Sequence, residues 1–291
     1  MKIYRNPRII LLFGVLGVTS SSFIIKLSNQ PAYILAFSRV FLTGIIAYFL
    51  LNKNFKLKLN KLELMKVAIA GLALATHFGW WFDSLNYLPI ATSLSLTNTA
   101  PIWLAILSHI TYKTGLFKRQ VVSFILILIA SMSLFLSSLN SSNISTEGLI
   151  LAIGSAIGFA IYLILAKDMV PKIGLWKYFG LVNLIASFFL FFMTIVNQQN
   201  IYLIDPNLWF YGFLLAIFPG LLGHAIYNWA MPKLNTIDVG VSTLGEPILG
   251  SIFAFIILNE VLNQIELSSF LILLIAIVFS LDFPSFKYSN P

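Results

Sequence analysis

Long apolar runs separated by short polar clusters set the pattern of this chain. Ten runs recur along its 291 residues, at 8–25, 33–51, 65–82, 90–112, 120–139, 147–166, 176–196, 207–229, 237–258 and 265–281. A helix needs about 20 apolar residues to cross a hydrocarbon core of about 30 Å, and these runs fit that length. They far exceed the roughly ten residues of a barrel strand, and helices satisfy their own backbone hydrogen bonds in lipid. The pattern therefore predicts an all-α polytopic membrane protein with ten transmembrane helices. Connections such as 52–61, 140–145 and 198–206 are short and rich in Asn, Ser, Gln and Lys, and no segment is left for a soluble domain.

Composition sharpens this picture. Only 10% of the residues are charged and 59% are hydrophobic, against roughly 25% charged in soluble domains. No cysteine is present, which removes disulfides, thiolate catalysis and Cys-ligated metals. The net charge of +8 would suggest a polyanion partner in a soluble protein. Here its distribution is an orientation signal, because basic loops stay cytoplasmic. With the N-terminus inside, the inner segments hold Lys2, Arg5, Arg8, Lys53, Lys56, Lys58, Lys61, Lys66, Lys113, Lys118, Arg119, Lys167, Lys172, Lys177, Lys233 and Lys287, which is 16 of the 18 basic residues. Asp83, Glu147, Asp205, Glu260 and Glu266 fall outside. The expectation is a cell (plasma or inner) membrane protein with both termini cytoplasmic, embedded in lipid, and no nucleic-acid partner. Lys26, at an outer loop end, and Arg39, inside a span, are the two basic residues left over.

The chain also repeats itself. Thr76-His-Phe-Gly-Trp-Trp81 followed by Thr99-Ala-Pro101 corresponds to Gly223-His-Ala-Ile-Tyr-Asn-Trp229 followed by Gly245-Glu-Pro247. The offset is 147 residues from His77 to His224 and 146 from Pro101 to Pro247. Two units follow, 1–140 and 141–291, each of five spans. Five is odd, so the second unit enters the membrane from the opposite side, the inverted repeat on which many secondary transporters are built.

Polar groups inside spans are costly and face a protein interior or a water-filled cavity. Glu246 lies about ten residues into the ninth span, near the midplane, and Pro247 frees a backbone carbonyl beside it. Pro101 marks the equivalent helix break in the first unit. The carboxylate is either a coupling or solute-contacting group or a tether for the broken helix; its counterpart is Ala100, so the architecture alone does not require it. Arg39, roughly 9 Å from the outer end of its span, can pair with Glu246, snorkel outward or bind an anion. His77, Trp80, Trp81 and Ser84 share one helix face, and His224, Tyr227, Asn228 and Met231 repeat that spacing. Such a stripe suits either the wall of a solute cavity or interhelical packing. Ser95, Asn98 and Thr99 share a face of the fourth span and Ser242 one with Glu246, while Tyr162 and Asn183 can add polar groups. The two histidines make no metal site, since neither a third ligand nor a paired acid lies nearby. No cofactor is implied.

Together these features resemble the EamA family of the drug/metabolite transporter superfamily. The resemblance rests on Ala36-Phe-Ser-Arg39, Ser93-Leu-Ser-Leu96 with Thr99-Ala-Pro101, residues 223–229, Leu244-Gly-Glu-Pro-Ile248 and Leu258-Asn-Glu260, in that order over essentially the whole chain. It implies two inverted five-helix units around a central cavity, alternating access, and movement of small metabolites such as amino acids, with protons as a candidate coupling ion. The competing class is an intramembrane enzyme acting on lipid-linked substrates. That chemistry calls for clustered acids with a metal, or a nucleophile with a base, and the loops carry no paired aspartates.

Overall fold

The computed structural model describes residues 6–50, 59–139, 145–201, 203–258 and 263–280. The expectations placed on Lys2, Arg5, Lys53, Lys56, Lys58, Glu260 and Lys287 lie outside these residues. Among the described residues the fold is all-helical. Eight helical rods are long and apolar enough to span a membrane. They comprise α1 (Pro7–Thr19) continued by α2 (Ser21–Ser28), α3 (Ala32–Phe49), α4 (Lys61–Ser84), and α5 (Ile90–Thr97) continued by α6 (Ala100–Tyr112). The remainder are α7 (Lys118–Leu139), α8 (Thr146–Ile173), α9 (Leu175–Val196), and α10 (Pro206–Leu215) continued through a π-helical segment (Ala216–His224) into α11 (Ala225–Ala230). The ninth and tenth apolar runs form shorter pieces, α12 (Thr236–Ser242) with α13 (Gly245–Leu258), and the 17-residue α14 (Gln264–Ser280).

Helices begin where the sequence supplies caps. Asn60 and Glu63 exchange side-chain and backbone hydrogen bonds at 2.9 and 3.0 Å at the start of α4, and Asn263 with Glu266 does the same for α14. Asp205 and Ser145 accept from the first-turn amides of α10 and α8. Each cap satisfies an amide that the first helical turn leaves without a partner. Gly174 alone separates α8 from α9, at a φ of +84° that suits glycine and strains other residues.

The bundle is inside-out relative to a soluble protein. Leu12, Phe13, Ile125, Phe188, Phe192, Leu271 and Ile275 are exposed on its outer faces, whereas Arg39, His77, Asn183, His224 and Asn228 are buried. Packing follows a regular pattern: α3 lies against α9, α7 against α14 and α6 against α12. The pairing of α4 with α8 is matched by that of the π segment and α11 with α1, and α4 with α9 by α10 with α3. Small residues mark the closest approaches, as their spacing predicts. A Cβ on Gly17 would lie 2.6 Å from the Leu222 carbonyl oxygen, and one on Gly158 2.7 Å from that of Ala73.

At one end of the bundle, cationic side chains tie helices together. Arg8 pairs with Asp238 at 3.3 Å, Asp168 with Lys66 and, at 2.7 Å, with Lys172, and Lys167 donates to Thr236 at 2.5 Å. The other end carries a neutral and acidic network in which Tyr33 and Asn86 donate to Asp83 and Gln30 to Asp205.

The α1 contact yields a test. Gly17→Ala must displace backbone and is expected to cost about 1–3 kcal/mol, seen as a lower melting temperature in detergent, while Gly115→Ala, with open space around its Cβ position, leaves it unchanged.

Candidate functional site

Three interruptions in helical geometry meet in the middle of the bundle. Between α5 and α6, Thr99 bonds back to Leu96 and Ile102 to Thr99, tightening the chain into 3₁₀ turns, because Pro101 has no amide to offer the Thr97 carbonyl. Between α12 and α13, Glu246 bonds back to Thr243 in the same way, with Pro247 following. The π segment, which contains Pro219, ends at His224 and re-phases the helix before Tyr227 and Asn228.

These interruptions surround a small cavity lined by Val18, His77, Trp81, Thr97, Asn98, Phe159, His224, Tyr227 and Glu246. Its volume is ≈ 10 Å³, about one water site. The rings form a continuous layer: His77 stacks on Trp81 at 6.0 Å and on Phe159 at 4.7 Å, and lies 5.8 Å from His224. Hydrogen bonds fix the wall. His77 Nδ1 meets Ser155 Oγ at 2.9 Å while that hydroxyl also reaches the His77 carbonyl, tying α4 to α8. Asn228 donates to the Tyr162 hydroxyl and to the His224 carbonyl. Asn98 donates to the Leu94 carbonyl of its own helix and lines the cavity beside Glu246.

Arg39 stands behind this wall. It is 1% exposed, its guanidinium lies 3.8 Å over the Phe78 ring and 5.8 Å from that of Phe82, and Glu246, His77, His224 and Tyr162 are within its electrostatic range. Neither terminal nitrogen has a hydrogen-bond partner. The same holds for Trp81 Nε1, Thr97 Oγ1, His224 Nδ1, the Tyr227 hydroxyl and Asn228 Oδ1, all buried. The Tyr227 hydroxyl approaches Ser242 without reaching hydrogen-bond geometry. Buried polar groups are normally satisfied, so this concentration of unpartnered atoms is the distinctive feature of the site.

The expected residues divide into three sets. His77, Trp81, Asn98, His224, Tyr227 and Glu246 come together on the cavity, with Arg39, Tyr162, Asn228 and Ser242 immediately around it. Trp80 lies instead against Gly154 in the α4–α8 interface. Thr99 faces an apolar lateral groove of ≈ 430 Å³ with Trp103, Ser131 and Phe135, and the Ser95 carbonyl accepts from Ser131 on α7. Asn183 donates to the carbonyl of Phe179 in its own helix. Pro101 packs close to Gly240. Thr97, Phe78, Phe159 and Ser155 belong to the site without having been singled out in the sequence. The 3₁₀ turn after Thr97 turns it toward the cavity, which a uniform helical wheel misses. Among the described residues, no group of three or more His, Asp or Glu is placed to hold a metal ion.

Comparison with known proteins points to a fold and a family. A solved structure, described only as a protein, superposes with a TM-score of 0.72 over 94% of this chain and 95% of that one, at 15% identity, so the likeness is one of fold. No curated protein matches in sequence. Residues 146–281 match the EamA-like transporter family. That family is part of the drug/metabolite transporter superfamily, and the match spans 136 of the 291 residues.

Proposed function

We propose that this protein is a secondary transporter that moves small organic metabolites, amino acids among the candidates, across the cell membrane by alternating access between two inverted five-helix units, residues 1–140 and 141–291. The observation that carries the reading is the set of unpartnered polar atoms around a cavity at which kinked helices of both halves meet. Unwound or kinked helices at the bilayer midplane are where transporters of this architecture bind their solutes. The packing supports the inverted arrangement. Each of the contacts α3–α9 and α7–α14 joins elements that correspond under the 146–147-residue offset, and the contact α6–α12 is matched by α5–α13, as a two-fold relation between halves requires. Contacts off that axis come in matched pairs.

The geometry also fits a state closed to both sides. A cleft of ≈ 480 Å³ opens at the end lined by Lys26, Asn29, Gln30, Asn86 and Phe82. The ring of Phe82 abuts Trp81 at 5.4 Å, and Trp81 lines the central cavity, so one aromatic layer separates the two spaces. At the opposite end, Arg8–Asp238, Lys66–Asp168 and Lys167–Thr236 join different helices and seal the bundle. In the proposed cycle these two closures open in turn, and Glu246, the one acid lining the cavity among the described residues, couples solute movement to protons.

Three measurements follow. In proteoliposomes, His77→Ala and Trp81→Ala each raise the half-saturating solute concentration roughly five- to thirtyfold, through loss of one aromatic contact worth about 1–2 kcal/mol; unchanged values remove these rings from the solute site. Glu246→Gln abolishes the pH dependence of flux, and a retained dependence removes Glu246 from coupling. Single cysteines in this Cys-free chain read orientation: Lys118→Cys reacts with an impermeant maleimide only from the cytoplasmic side and Asn200→Cys only from the outside.

A further inference from the structure

Sorting basic residues by loop leaves Lys26 and Arg39 unaccounted for, and the fold puts these two on one line. Lys26 lines the ≈ 480 Å³ cleft and is the one charged side chain lining it among the described residues; its ammonium reaches the carbonyl of Leu85 at 3.3 Å. Asp83 and Asp205 stand behind the cleft wall, engaged by Tyr33, Asn86 and Gln30. Phe82 lines the cleft, and the Arg39 guanidinium lies 5.8 Å from the centroid of its ring. A solute entering from the cleft therefore meets a cation at the mouth, one aromatic side chain, and then a second cation.

Arg39 is built to receive something. A buried guanidinium without a hydrogen-bonded counter-ion carries a desolvation penalty of several kcal/mol, and both of its terminal nitrogens lack partners. Glu246, an acid within electrostatic range of it, makes no hydrogen bond to either terminal nitrogen. Phe78, stacked at 3.8 Å, fixes the plane of the guanidinium and leaves the edge that binds carboxylates in bidentate fashion. Trp81 Nε1, Thr97 and Tyr227 add three unpartnered groups able to donate. A neutral solute would satisfy these donors but leave Arg39 uncompensated, and a cation would be repelled by it. An anion does both.

We propose that Lys26 and Arg39 are the entrance and the end of an anion path, and that the transported solute bears a carboxylate-type head group that Arg39 binds. This rests on the transport reading for the solute's passage, but binding is testable without flux.

The test is thermal stabilisation of the purified protein in nanodiscs by formate, acetate, benzoate and phenylacetate, each compared with its amide. The expected result is that at least one anion stabilises in a saturable way and its amide does not. Arg39→Gln weakens the apparent affinity at least tenfold and Arg39→Lys restores part of it. Glu246→Gln, which removes a nearby negative charge, tightens it. The proposal is overturned if no anion exceeds its amide, or if the anion effect survives in Arg39→Gln. Should Arg39→Gln not fold, Phe82→Cys replaces it. There the stabilising anion must slow modification by a thiol reagent and its amide must not; equal protection contradicts the proposal. Flux of neutral or cationic solutes without anion binding would sink the anion path and leave transport standing, while anion binding without any flux would do the reverse.

Discussion

Hydrocarbon offers no hydrogen bonds, so every polar group carried into the bilayer must be satisfied inside the bundle or held for something that arrives there. That constraint organises this protein. Most of its intramembrane polar side chains are spent locally: Thr19, Ser38, Thr43, Thr194 and Asn183 bond back to carbonyls of their own helices. Others staple helices together, as Ser155 does for α4 and α8 and Ser123 for α7 and α14. Against that background, the unpartnered atoms of Arg39, Trp81, Thr97, His224, Tyr227 and Asn228 do not read as structural remnants. They lie on or around one cavity, at the kinks.

Under the proposed repeat, the two halves share a scaffold and differ in chemistry. Pro101 and Pro247 occupy equivalent breaks, each removing the amide that would have met a threonine carbonyl, Thr97 or Thr243. Beside one proline stands Ala100 and beside the other Glu246. The first half contributes the guanidinium of Arg39 and the indole of Trp81, the second the phenol of Tyr227 and the carboxylate of Glu246. In the proposed repeat such a site is polar and asymmetric within a frame of paired elements, which suits two conformations of similar energy reading out one solute.

Much of this was legible in the chain because its signals are long-range and redundant. Apolar run length places eight of the ten runs as spans among the described residues, Asn60 with Glu63 places a helix start, and the paired histidines, His77 and His224, come together at the cavity. Within the site, His77, Trp81, His224 and Glu246 were visible because a polar or ring-bearing residue in an apolar run has few places to go. What escaped depends on local departures from a 3.6-residue period. The 3₁₀ turn at Asn98–Thr99 sends Thr97 and Asn98 to the cavity and Thr99 to the lateral groove, dividing a face that a straight helix would keep whole. Trp80 is drawn away from its neighbours by the space that Gly154 leaves open on α8, a feature of a partner helix some seventy residues away. Asp238 was overlooked because it sits at the very start of an apolar run, where an acid passes for a loop residue; it is buried against Arg8.

The central claim is that this buried polar cluster is reached by water and solute from each side of the membrane in turn. Thr97→Cys, in a chain with no other cysteine, tests it most directly through its reaction with a small charged thiol reagent applied to either face of oriented vesicles. The account predicts modification from both faces, with transported solute shifting the ratio of the two rates. No modification from either face, or modification from one face at a rate indifferent to solute, would contradict it.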